Sequence, residues 1–488
     1  MKQSNVHCRW SKRVLHSIVV AGVGSCLLLA APAWAADPVA ELRERLIRIE
    51  QEKDREIAEL KQRLSELEQA KAHETEQLKE RVTAVEAKTK DSEKQGESWA
   101  ALSKKMSWLD RVTFFGDIRV RHEGFYQDSG PDANARQRER IRFRFGAKVK
   151  ISDELEGGFR LVSGGEDSPT SLDQTLDNFL TRKPLSIDWA YITFTPLKTL
   201  GLEKPLLSIT GGKFGAPVFV PTAAMQSELV FNSELSIEGL HEKVTLFSAK
   251  DGLLRNIALN AEQWVIKEAA RSADSWMLGG QVVADFVPSA STKLSLAAAN
   301  YNFSKVDLLA RGRNTNSDLL MTNGLILKDG TVVKGGFPFR PNADNPIRDM
   351  RHDFNIVNLS AQFTLDTGLP KWPVHLIADF AHNTEAPTDN TALWLGASIG
   401  ALKEPGDWTF SGAWARTETD SVLSAFSYSD FGRFGGTNVE GGWLQAEYRL
   451  MDALTLSAKH HFVSFIDRPA GQSNSLVHRM QLNAMLAF

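Results

Sequence analysis

From Arg138 to Ile151 the side chains sort by parity. Arg138, Arg140, Arg142, Arg144, Lys148 and Lys150 fall on one parity, opposite Ile141, Phe143, Phe145, Ala147, Val149 and Ile151. A helix would scatter these two sets around its circumference, whereas a strand places them on opposite faces. The preceding run repeats the pattern, with Asp117, Arg119, Arg121 and Glu123 against Ile118 and Val120. A basic face backed by an aromatic and aliphatic one suits a strand with water on one side and lipid on the other. This predicts an all-β transmembrane barrel.

Alternating segments recur to the end of the chain, about sixteen of them between Trp108 and Phe488. After the two above they lie near 155–163, 187–195, 206–214, 236–248, 253–267, 275–286, 291–303, 354–365, 374–383, 391–402, 408–418, 441–450, 454–465 and 475–488. An even number in this range fits a bacterial single-chain barrel of antiparallel strands. The connections agree: every second one is tight, as at 152–154, 249–252, 288–290, 403–407 and 451–453, while the alternate ones are mostly longer and polar. Short turns would lie in the periplasm and long loops outside the cell. The stretches 196–205 and 366–373 are loose for tight turns, so fourteen or eighteen strands stay open. In the final segment Met480, Leu482, Ala484, Leu486 and Phe488 oppose Arg479, Gln481 and Asn483. It resembles the C-terminal signal that outer-membrane barrels present to their assembly machinery, which implies that role for Leu486 and Phe488.

The other end has a different composition. Lys2, Arg9, Lys12 and Arg13 precede the apolar run from Ile18 to Ala31, and Ala33-Trp34-Ala35 follows it, the order of a secretory signal peptide cut after Ala35. Val23-Gly24-Ser25-Cys26 imitates a lipoprotein box, but the apolar run continues past it instead of ending there. Both cysteines, Cys8 and Cys26, lie in this segment, so disulfides are not expected in the mature chain. Residues 36–95 form the next domain, rich in Glu, Lys, Arg, Gln, Leu and Ala. Leu42, Leu46, Ile49, Ile57, Leu60, Leu64, Leu67, Leu78, Val82 and Val85 draw an apolar stripe at helical steps. A periplasmic helix is expected there, either solitary or, because self-association covers so narrow a stripe, in a coiled coil that trimerises the protein. Residues 96–107 link it to the barrel domain, 108–488.

Several chemistries find no support. A net charge of −3 over 488 residues names no partner. Gly396-Ala397-Ser398-Ile399-Gly400 matches the serine-hydrolase pattern, but that chemistry needs a strand-to-helix elbow and this stretch alternates as a strand. His460 and His461 point to opposite faces of one strand and cannot share a metal. With no cysteine cluster, phosphate loop or basic–aromatic module, no catalytic residue, metal, cofactor or nucleic acid is expected.

Trp108-Leu109-Asp110-Arg111 and Gly116-Asp117-Ile118-Arg119-Val120-Arg121 resemble the opening of a porin family of Gram-negative outer membranes. Ser429-Asp430-Phe431, Gly435-Gly436-Thr437-Asn438 and Gly441-Gly442 are similar to that family's late loop and strand. The resemblance implies passive diffusion of small hydrophilic solutes or ions without fixing the solute. Arg119, Arg121, Arg138, Arg140, Arg142, Arg144, Lys148 and Lys150 would then line one sector of the pore and favour anions, or would be neutralised by Asp117, Glu123, Glu156 and loop carboxylates. By the same resemblance the loop from Gly215 to Leu235 would fold inward as a constriction, with Glu228 and Glu234 facing the arginines; a plain external loop is the alternative. Outer-membrane lipid, the barrel assembly machinery and two further copies are the expected partners. A different reading makes the barrel an anchor and the coiled coil a tether to peptidoglycan. A trimeric autotransporter is disfavoured, because one chain here carries enough strands to close alone.

Overall fold

The structure, a computed structural model, describes residues 107–127, 136–164, 169–221, 226–270, 273–311, 322–333, 347–431, 436–468 and 476–488, with a helix over 61–85 and a few residues before it. The expected signal peptide, most of 36–60 and residues 86–106 lie outside the described residues. The chain divides into two compact units, Met1–Leu102 and Ser103–Phe488.

In the first unit, Leu64, Leu67, Leu78, Val82 and Val85 are all exposed along the helix. Pairs one turn apart, such as Arg63–Glu59 at 2.9 Å, support it locally.

The second unit is a closed antiparallel barrel. A 3-10 turn, Ser107–Arg111, leads into β1 (Val112–Gln127), β2 (Arg136–Lys150), β3 (Leu155–Val162) and β4 (Ser186–Phe194). Then come β5 (Leu207–Gly215), β6 (Ser236–Ser248), β7 (Leu254–Lys267), β8 (Ser275–Ser289) and β9 (Thr292–Ser304). After a long connection follow β10 (Phe354–Leu365), β11 (Val374–Asn383), β12 (Thr391–Gly400) and β13 (Trp408–Thr417). The last are β14 (Val439–Met451), β15 (Leu454–Phe465) and β16 (Val477–Ala487). Each of these sixteen strands overlaps one expected segment and pairs with its chain neighbours. β16 pairs with β1 from Asp117↔Ala487 to Gln127↔Val477, which removes both sheet edges.

Parity sets the facing. Phe114, Ile118 and Val120 are 56%, 40% and 51% exposed, whereas Asp117 and Arg121 on the other parity are 6% and 7% exposed. Phe143 and Phe145 share the outer face with them, and Phe145 stacks on Phe114. At the seam Gly116 N donates to Phe488 O at 2.8 Å and Phe488 N donates to Gly116 O at 3.0 Å. A Cβ on Gly116 would stand 2.8 Å from the Phe488 ring, so glycine is required for the terminal aromatic to lie flat on the wall.

The two loose connections are turns of the short-turn end, each tied by a carboxylate. Glu154 accepts the amides of Leu197 (2.6 Å) and Thr199 (2.8 Å), pinning 195–206. Asp407 accepts Lys371 Nζ at 2.7 Å and the amides of Glu404 (2.8 Å) and Lys403 (3.0 Å). The Lys371 hydrogen bond foremost, then the Glu404 amide, hold the Asp407 carboxyl at about 2.

The interior differs from a uniformly wet lumen. Inward positions of β7–β13 include Trp264, Met277, Tyr301, Ile356, Ile377, Ala392, Trp394 and Ala415, all buried. Against them pack Leu229 and Phe231 from the β5–β6 connection, Leu325 from the β9–β10 connection, and Val422, Leu423 and Phe431 from the β13–β14 connection. Phe231 lies 4.9 Å from both Trp264 and Tyr301, ring centre to ring centre. Polar bonds lock the loops to one another and to the wall. Asn323 Nδ2 donates to the carbonyls of Thr419 (2.7 Å) and Val422 (2.8 Å), and Ser227 Oγ donates to Asp379 at 2.5 Å. This half of the long-loop end is a packed plug.

Candidate channel wall

Opposite the plug, the inner faces of β1, β2, β15 and β16 stay polar. Antiparallel pairing sets Asp117 across from Arg144, Arg119 from Arg142, Arg121 from Arg140 and Glu123 from Arg138. The two rows thus form one charged surface, and each guanidinium finds an acceptor on it or on a loop facing it.

Arg142 donates from Nε and Nη2 to Asp117 Oδ1 (3.0 and 2.8 Å) and from Nη1 to Glu234 Oε1 (2.6 Å). Arg119 Nη2 reaches Asp173 Oδ1 at 2.7 Å and Glu234 Oε1 at 3.0 Å. Arg121 pairs with Asp173 at 3.0 Å and donates to Asn483 at 2.7 Å. Arg140 binds Ser171 Oγ at 2.9 Å and the Asp173 carbonyl at 3.1 Å. Arg144 donates to Asp117 Oδ2 at 2.5 Å, and Arg138 pairs with Glu123. The upper end of the row is joined by Arg479, which pairs with Glu123 and, at 2.8 Å, with Asp430. Such bidentate, charge-assisted bonds fix a planar cation far better than a single contact does.

Placement of the expected residues is therefore uneven. Arg119, Arg121, Arg138, Arg140, Arg142 and Arg144 come together as one network, with Glu234 from the β5–β6 connection at its centre. Glu228 stands apart from it: Ser233 Oγ donates to it at 2.9 Å, and its own backbone carbonyl accepts Tyr428 N at 2.9 Å. Lys148 lies 5.9 Å from the Phe115 ring, lower on the wall, and Lys150 reaches the turn residue Asp153 at 3.5 Å in the open. Leu486 is exposed on the outer face, as is Phe488 next to it. His461 is buried inside and its Nε2 lies 2.7 Å from Tyr428 Oη, while His460 faces outward. Ser398 is inward and mid-strand, without an elbow.

Three participants were not expected as site residues, although Asp430 lies in the Ser429-Asp430-Phe431 motif. Asp173 and Asp430 sit in connections, where no period marks facing. Lys459 shares the inward parity of β15; its Nζ donates to Tyr428 Oη at 2.8 Å and lies 4.0 Å from the Trp443 ring centre.

Between wall and loops runs a crevice of about 200 Å³, lined by Arg119, Arg121, Asp173, Glu234, Asp430 and Lys459 among others. A larger cavity of about 720 Å³ lies along β2–β5, bounded by Lys148, Glu156, Arg160, Trp189 and Tyr191. The loop carboxylates Asp173 and Glu234 reach the wall arginines directly, so the crevice is lined by paired charges of both signs.

Comparison with known proteins yields a family and a set of structural neighbours. The model of the family described as "Putative porin" matches residues 130–358 and 338–485. No curated protein matches. Among solved structures, the high-pH form of OprB from Pseudomonas putida aligns over 80% of this chain and 97% of its own, at 14% identity and a TM-score of 0.48. OmpF of Salmonella typhi, in complex with daunomycin, aligns over 77% and 97% at 10% identity and 0.43. The trimer form of OmpT from Vibrio cholerae aligns over 77% and 99% at 9% identity and 0.41. With the match extending over most of the barrel and the strands closed on themselves, the chain belongs to this porin family and forms an outer-membrane channel.

Proposed function

We propose that this channel passes small hydrophilic solutes and ions by passive diffusion along the charged wall of β1, β2, β15 and β16, with a mild preference for anions. One observation carries the reading: facing an interior sector packed with apolar groups, the wall carries the arginine network. There seven guanidinium groups, those of Arg119, Arg121, Arg138, Arg140, Arg142, Arg144 and Arg479, meet five carboxylates, those of Asp117, Glu123, Asp173, Glu234 and Asp430. Pairing removes most of the positive potential and leaves a modest surplus. Glu234 narrows the path from the loop side and acts as the constriction carboxylate, while Glu228 contributes to the crevice without meeting the arginines.

The barrel needs no cofactor for this role, and its closing strand with Leu486 and Phe488 is the segment offered to the assembly machinery. The exposed stripe of helix 61–85 supports self-association in the periplasm into a homotrimer. Planar-bilayer recording of the purified protein tests the function. Stable conducting steps with a reversal potential displaced toward the anion in a KCl gradient are expected. A bilayer that stays tight despite insertion would favour the anchor reading, in which the helix reaches peptidoglycan.

A further inference from the structure

The cavity of about 720 Å³ along β2–β5 adjoins the arginine network at β2 and shares none of its guanidinium groups. Its volume falls in the range of roughly 300–1,000 Å³ that holds a small organic molecule. Two features of its lining stand out, a set of rings held in place and a pair of charges left apart.

The rings are fixed from several sides. Arg160 pairs with Asp188, and its guanidinium lies 3.4 Å over the Trp189 ring. Ser236 Oγ accepts Trp189 Nε1 at 3.1 Å and donates to Asp188 at 2.5 Å, so cation, indole and carboxylate hold one another. Farther along β4, Tyr191 lies across Gly158 of β3, where a Cβ would stand 2.7 Å from its ring. Phe214 of β5 meets Tyr191 edge-on, with 6.4 Å between ring centres. This aromatic floor needs no rearrangement to receive a ring.

The charges are Lys148 on β2 and Glu156 on β3, both lining the cavity. The ladder sets Lys148 across from Gly158 and Lys150 across from Glu156, which makes ammonium and carboxylate diagonal neighbours on one face. Such neighbours stand about 7–8 Å apart along the backbone. The other charges nearby are already taken, Lys150 by Asp153 and Arg160 by Asp188. Among the described residues neither Lys148 nor Glu156 stands in an ion pair. Glu156 lies beside the Tyr191 hydroxyl, at the edge of the aromatic floor.

We propose that this cavity binds an aromatic α-amino acid in transit, with its carboxylate toward Lys148, its ammonium toward Glu156 and its ring on Tyr191. An α-amino acid carries both charges on one carbon and so bridges a cation and an anion that do not reach each other. A simple anion would satisfy Lys148 and be repelled by Glu156, and an uncharged solute would leave both unanswered. The site rests on the reading of this chain as a channel for hydrophilic solutes and names one class of them.

Saturation-transfer NMR on the purified full chain in detergent micelles tests it, with L-phenylalanine as the probe. Phenylacetate lacks the ammonium, phenethylamine the carboxylate and alanine the ring. Saturable transfer to phenylalanine is expected, at a half-saturating concentration severalfold below that of each of the other three. Lys148→Gln should bring phenylalanine and phenethylamine to equal affinity, and Glu156→Gln should do the same for phenylalanine and phenylacetate. Heat-modifiable migration shows that each variant is folded, and either one carries the cross-test if the other fails to insert. Unsaturable transfer in the parent, or unaltered preferences in a folded variant, overturns the site. Conduction in planar bilayers by a protein without saturable transfer would leave the proposed function standing. Saturable transfer with the expected losses in a protein that does not conduct would uphold the site and sink the channel reading.

Discussion

Glu234 holds the arginine network from the loop side, because its one Oε1 is shared by Arg119 and Arg142 while its Oε2 accepts the Leu172 amide at 2.8 Å. Replacing it by Gln frees positive charge at the crevice. The reversal potential of Glu234→Gln should move toward anions, with a severalfold change in permeability ratio. The triple change Arg140→Gln, Arg142→Gln, Arg144→Gln should move it toward cations, since Asp117 and Asp173 are left in excess. It should also lower stability by about 1–3 kcal/mol for each carboxylate left without its partners. Bilayer recordings in a salt gradient check both signs, and an unmoved potential in either folded variant would take the crevice out of the conduction path. Asp407 gives a pH test outside the wall. Its folded carboxyl titrates at about 2, below the ordinary value near ~4. The stability it contributes is therefore complete above about 4 and lost as pH falls toward 2. Asp407→Asn should melt below the parent at pH 7 and converge on it as pH falls through about 2. The arginine parity was legible in the sequence because a strand converts it directly into facing. Asp173 was not, since a residue in a 23-residue connection has no period to read.

At the level of elements, β2 carries the sharpest statement of which side meets lipid. Phe143 lies midway along Arg136–Lys150, on the outer parity, between the inward Arg142 and Arg144. Phe143→Arg would place a cation near the bilayer midplane, at a cost of about 2–4 kcal/mol. Assembly of that variant should be impaired, as measured by heat-modifiable migration, while the Gln triple variant inserts; the reverse pattern would invert the facing. Gly116 makes a related prediction at the seam. Its Cβ would meet the Arg144 carbonyl at 2.3 Å and the Phe488 ring, so Gly116→Val should slow closure of β1 on β16. Strand existence and order were readable from period two and from alternating turn lengths. Of the plug only the inward course of 215–235 was expected, by resemblance; the inward apolar positions of β7–β13 leave both parities apolar, a pattern that does not say what else fills the interior. Packing supplies the answer: Trp264, Tyr301 and Trp394 are buried only because three connections fold back onto them.

Across the whole molecule, everything that closes the barrel lies in the second unit. The ladder between β16 and β1, the terminal pair Gly116–Phe488 and the plug bonds of Asn323 and Ser227 all fall after residue 111. Helix 61–85 is stabilised by its own pairs one turn apart and leaves its leucine stripe open. An exposed stripe that narrow gains little alone and gains more by association, so the role proposed for the helix is assembly of copies and not formation of the barrel. Deleting Val39 to Gln95 should therefore leave a folded, heat-modifiable and conducting barrel, while any complex held by the helix dissociates at lower detergent or temperature. Gel migration before and after boiling reads the first effect, and analytical ultracentrifugation reads the second. Loss of heat-modifiable migration on deletion would show that the N-terminal unit takes part in closing the barrel, and an oligomer of undiminished strength would place the whole association on the barrel wall.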